Sequence, residues 1–156
     1  MDRCGSIARD SLRGAAALLC SAACGMATAA VMPSASDAQA HQYAIANALT
    51  LAAQVQARVT DYRQRNDGFP SGNAEAAINP PTVIATADVK SISVRDAGVV
   101  EVTLTATSGI DDGVIILTPT AAKTSDDRHV EWHCTSPSYS TIADITGGNC
   151  EYSKLP

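Results

Sequence analysis

His129, Glu131 and His133 have the residue types and spacing of a metal site, standing at alternate positions near the end of the chain. On a strand, alternate residues share one face. Imidazole and carboxylate are suitable ligands for zinc or copper. The spacing works against a shared ion, because such neighbours stand about 6.5–7 Å apart. No further His or Cys is placed to complete the set, so a solvated sheet face without a metal is expected. The acidic pairs Asp111-Asp112 and Asp126-Asp127 lie beside turn signals and read as hydrated carboxylates. Neither a Gly-x-Ser-x-Gly elbow nor a phosphate-binding glycine loop occurs. No nucleophile, base and oxyanion donor come together, so neither an enzyme nor a cofactor is expected.

The remaining reactive side chains are five cysteines in two groups. Cys4, Cys20 and Cys24 lie near the front, and Cys134 and Cys150 near the end. Arg3, Arg9 and Arg13 precede an apolar run from Gly14 to Met32, the pattern of a signal peptide or an N-terminal apolar anchor. Small-residue cleavage sites follow at Ala27-Thr28-Ala29 and Ala38-Gln39-Ala40. The run is long enough to span a bilayer but is rich in Ala and Gly, which makes its insertion marginal. Neither Cys20 nor Cys24 follows a good lipidation box. In an exported chain, the pair Cys134 and Cys150 reads as a disulfide. It would close a loop of about 15 residues, worth roughly 3 kcal/mol if chain entropy dominates. Two free buried thiols are the alternative reading.

The elements that position these residues follow from composition and periodicity. The chain has 156 residues with an aromatic content of 4%, so its core must be mostly Ala, Val, Ile and Leu. That suits one small, modestly stable domain behind the front segment. The expected division is 1–32 for the signal peptide or anchor and 33–156 for the globular domain. A net charge of −5 argues against nucleic acid as a partner, since phosphate binding needs a basic face.

From Ser36 to Arg65, Ile45, Leu49, Ala52, Val55, Val59 and Tyr62 recur at spacings of three and four. The opposite face carries Asn47, Gln54, Arg58, Asp61 and Arg65. A long amphipathic helix is predicted, capped by Ser36, with Asp37 in its first turn and Gly68 as a left-handed C-cap before Pro70. Residues 71–88 read as a connecting loop. Strands are expected at Val89–Val94, Val100–Ala106, Val114–Thr118 and around Val130–Cys134, with Val130, Trp132 and Cys134 facing inward. Short turns make these four strands an antiparallel meander, and the helix must cover its apolar face. Thr135–Pro156 reads as a loop.

Several of these stretches together resemble type IV pilins. They are Ala46-Asn47-Ala48-Leu49-Thr50-Leu51-Ala52, Val59-Thr60-Asp61-Tyr62, Asn66-Asp67-Gly68-Phe69-Pro70, and Val130-Glu131-Trp132-His133-Cys134 followed by Cys150. The likeness spans roughly Ala30 to Cys150. It implies an α+β fold: a long N-terminal spine helix on a four-stranded antiparallel sheet, with a C-terminal loop bounded by a Cys134–Cys150 disulfide. It also implies a structural subunit of a type IV pilus or pilus-like surface filament, with an adhesion or motility role. Its partners would be other pilin subunits through the N-terminal helix, and the inner membrane before assembly. The location would be the cell-surface pilus or the periplasm. The family's Phe-Thr-Leu-Ile-Glu start has no counterpart before Pro33, where the sequence holds no glutamate. The alternative is an exported soluble accessory or binding module that does not polymerise.

Overall fold

A computed structural model describes residues 34–121 and 129–154. The apolar stripe folds as helix α1, Ala35–Arg65. Its cap is Ser34, not Ser36. The Asp37 N–H donates to Ser34 Oγ at 3.3 Å, and the Ser34 N–H donates back to Asp37 Oδ2 at 3.1 Å. Only Ser34 stands three residues before Asp37, so only it can close this reciprocal box. Ala44, Ile45, Ala48, Ala52, Val55 and Val59 form the buried face.

The helix ends differently from expectation. Asn66 leaves it in an extended conformation, with φ −130° and ψ 158°. Its backbone and side-chain nitrogens both donate to the Tyr62 carbonyl, at 3.0 and 2.8 Å. With that carbonyl satisfied twice, no left-handed glycine is needed, and Gly68 is not among the positive-φ glycines. Arg63 lies 5.7 Å from the Phe69 ring centre, and Phe69 packs on the core beyond the helix end.

The sheet comprises β1 (Val89–Val94), β2 (Val100–Leu104), β3 (Val114–Ala121), β4 (Val130–Ser136) and β5 (Cys150–Tyr152), in that spatial order. The first four strands make the expected antiparallel meander. The break in β1 alternation has a cause: the register shifts between Val89 and Ser91, which lets Val89, Ile92 and Val94 all point inward. β3 runs past the expected Thr118. Pro119 is tolerated there because β2 pairs with β3 only as far as Leu117, leaving β4 as the sole neighbour.

The stretch after β4 is not simply a loop. It contains helix α2 (Ile142–Thr146) and then β5, which lies parallel to β4 with Cys150 opposite Cys134. Residues 71–88 likewise hold a single 3₁₀ turn, Pro81–Ile84. The core lies between α1 and the inner sheet face and is built from Ile45, Val59, Ile92, Val102, Leu104 and Ile115, with Ile142 from α2. Gly98, between β1 and β2, has φ +73°. A Cβ there would sit 3.0 Å from both Phe69 Cβ and Val59 Cγ1, so only glycine lets this turn meet the end of α1.

Candidate functional site

The C-terminal segment is built onto the fold from β4 outward. Cys134 and Cys150 are joined as a disulfide, both sulfurs facing the core. Ser136, fully buried, donates to the Val114 carbonyl at 2.5 Å. Its hydroxyl also accepts from the Ser138 and Tyr139 N–H groups, each at 3.2 Å. Tyr139 then reaches inward to the Ser108 hydroxyl, and burial pushes its phenol above the ordinary range. Thr146 Oγ1 accepts from the Cys150 N–H at 3.0 Å, which hands α2 over to β5. The outer surface of this edge presents Asp144, Glu151 and Tyr152, all exposed.

The opposite edge is built by residues 71–88. Asn73 stands in for a neighbouring strand along β1. Its side-chain oxygen accepts from the Val94 N–H at 2.6 Å, and its amide donates to the Ile92 and Asn79 carbonyls at 3.1 and 2.8 Å. Thr86 similarly accepts from the Val89 N–H at 3.1 Å. Between this segment and α1 lies an open cleft of about 240 Å³, lined by the apolar Leu51, Val55, Ile78 and Ile84 and by the polar Gln54, Arg58 and Asn79. No sequence pattern marks Asn73 or this cleft, because both depend on contacts between distant segments.

The sequence-derived metal candidates all stand exposed to solvent. Glu131 and His133 are exposed on the outer sheet face opposite Thr120 and Thr118, and His129 is exposed just before β4. Among the described residues, no three His, Cys, Asp or Glu side chains converge on a point that could hold an ion. Asp111 and Asp112 instead embrace Lys90, at 2.7 and 2.8 Å. The Asp111 hydrogen bond leads in holding the ammonium above its ordinary pKa, and Asp111 is held below its own by the same bond. Asp126 and Asp127 lie outside the described residues.

The long helix also has a distinctive surface. Residues 34–40 are exposed on every side, Tyr43 is 63% exposed, and burial against the sheet begins at Ala44. No described helix is long and apolar enough to cross a membrane. None of the curated proteins compared matches the chain. A family model described as Pilin, a bacterial filament protein, matches residues 44–151, from the first buried turn of α1 into β5. The helix, meander and disulfide-bounded edge described above are the matched region, and on that match the chain belongs to the pilin family, as a pilin-like filament subunit.

Proposed function

We propose that this pilin is a structural subunit of a type IV pilus or related surface filament, exported from the cell and held at the inner membrane by residues 1–32 before assembly. The observation that supports this reading is the bare start of α1. Seven consecutive residues, 34–40, bury no face against their own domain. A helix that continues beyond its own core offers its length to other chains. In this reading the spine helices pack together along the filament axis, and the sheet and disulfide-bounded edge face outward. An adhesive or motility role would reside on that outer surface.

A second reading, an exported soluble pilin-like module, draws on the Ala- and Gly-rich run at Gly14–Met32, whose insertion into a bilayer would be marginal. Sequencing the mature N-terminus, together with electron microscopy of the producing cells, separates the two. A methylated start at the head of an intact apolar segment, with filaments, supports the subunit reading. A start near Ala30 or His41 without filaments overturns it in favour of the soluble module.

A further inference from the structure

We propose that Asp67-Gly68 is a site of spontaneous backbone modification in the folded protein, where the Asp67 side chain closes on the Gly68 nitrogen and the chain reopens as isoaspartate. The site is independent of any contact between copies and stands under either functional reading above.

The dipeptide Asp-Gly occurs twice, at Asp67-Gly68 and at Asp112-Gly113. In each, the aspartate carboxyl carbon is followed by a nitrogen whose own residue has no side chain to shield it. Ring closure bonds that nitrogen to Cγ, and the amide hydrogen and the carboxyl hydroxyl leave together as one water. The five-membered imide then takes up one water. Opening at Cγ restores the original chain. Opening at the main-chain carbonyl leaves the glycine joined through the side-chain carbon, with one more carbon in the backbone.

The fold treats the two dipeptides differently. Asp67 and Gly68 are both exposed. Among the described residues, Asp67 enters no hydrogen bond or ion pair, and the Gly68 N–H donates to no acceptor. The two reacting groups are therefore free to meet. At the second site, Asp112 Oδ1 is held by Lys90 Nζ at 2.8 Å. Gly113 is buried, and its N–H donates to the Ile110 carbonyl at 3.2 Å. Closure there must first break both contacts and open the turn between β2 and β3.

The residues flanking the reactive pair are fixed. Asn66 is held through its two nitrogens on the Tyr62 carbonyl, and its own carbonyl accepts from Arg63 at 3.1 Å. The Pro70 carbonyl accepts from the Gly98 N–H at 2.9 Å. An extra backbone carbon at position 67 falls inside this tethered link, so the displacement passes to Phe69. Phe69 has little room to absorb it, since even a Cβ on Gly98 would sit 3.0 Å from Phe69 Cβ. Isoaspartate at 67 thus loosens the seating of the α1 end on the sheet.

The test ages the purified, disulfide-bonded protein at neutral pH, digests it, and separates and fragments the isomeric peptides to place isoaspartate. In the folded protein, conversion at Asp67 is expected to exceed that at Asp112 roughly tenfold, because only the second site must open first. In urea the two sites should convert alike, since unfolding removes the protection. Gly68→Ala, whose added carbon meets nothing within 4 Å, should lower conversion at Asp67 roughly tenfold and leave the folded state intact. Asp67→Glu, which lengthens the side chain without touching the glycine, should do the same. Equal conversion at the two sites in the folded protein, or none at Asp67, would overturn the proposal. The isoaspartate fraction, separated from the unmodified protein, is expected to melt at a lower temperature. Identical melting would overturn the displacement of Phe69.

Discussion

Tyr139 Oη lies 2.5 Å from Ser108 Oγ, and this buried pair ties the disulfide-bounded edge to the turn between β2 and β3. Ser108 also donates to the Thr105 carbonyl at 2.7 Å. A serine has one proton to give, so in that arrangement the tyrosine is the donor to Ser108. A phenol thus reaches across the inner end of the sheet and anchors a segment that otherwise hangs from β4.

Replacing Tyr139 with Phe removes the hydrogen bond and keeps the ring. A loss of roughly 1 kcal/mol in urea denaturation is expected. The pH dependence carries its own signature. Burial raises the Tyr139 pKa above its ordinary value of 10.0, so the neutral phenol is favoured by folding. This contribution is fully present below pH 10 and is lost as pH climbs through the raised folded value. The wild type should therefore lose more stability than Tyr139→Phe across that alkaline range. Parallel curves for the two would refute the assignment.

Gly113 protects the same contact sterically. A Cβ at this position would collide with the Tyr139 hydroxyl and ring. Gly113→Ala is expected to cost about 2 kcal/mol or more by displacing Tyr139. Gly147→Ala is the control: its added carbon meets nothing within 4 Å, and only the left-handed φ of +62° opposes it. Its cost should be nearer 1 kcal/mol. Equal losses in thermal melts would contradict this ranking.

Opening the Cys134–Cys150 bridge with paired serines is expected to lower stability by about 3 kcal/mol for a separation of 16 residues. The damage should be uneven. β5 has three residues and pairs only with β4, while α2 spans a single turn. Amide exchange in residues 137–152 should accelerate well before that in β1–β3. A uniform rise across the domain would mean the bridge stabilises the whole fold and not this edge.

Asn73→Ala takes away three hydrogen bonds, two along β1 to Val94 and Ile92 and one to Asn79 within its own segment. A loss of roughly 1–3 kcal/mol is expected. Asn73→Asp should be no better, because a carboxylate can accept from Val94 but would face the Ile92 and Asn79 carbonyls. The bared strand edge should also promote self-association, visible in sedimentation. Wild-type stability in both variants would show that water replaces the side chain without cost.

Some of this protein is written locally. The three-and-four spacing from Ile45 to Val59 determines α1, because burial of one face repeats with the helical turn. Alternation determines β2, and the buried Val130 and Cys134 determine the inward face of β4. The capping box is also legible, since Ser34 and Asp37 stand three apart, whereas Ser36 directly precedes Asp37 and cannot close it. Other features have no local signal. β5 is the three residues Cys-Glu-Tyr, too short for a pattern, and forms because the bridge sets it beside β4. The extended exit at Asn66 depends on its side chain finding the Tyr62 carbonyl. The role of Asn73 depends on a strand some twenty residues away, with separations of 19 and 21 to its β1 partners. The sequence by itself therefore determined the helix, the meander and the cysteine pair, because each follows from periodicity or count. Only the tertiary structure decided the two edges of the sheet, because an edge is defined by which distant segment reaches it and which charges that contact leaves unpaired.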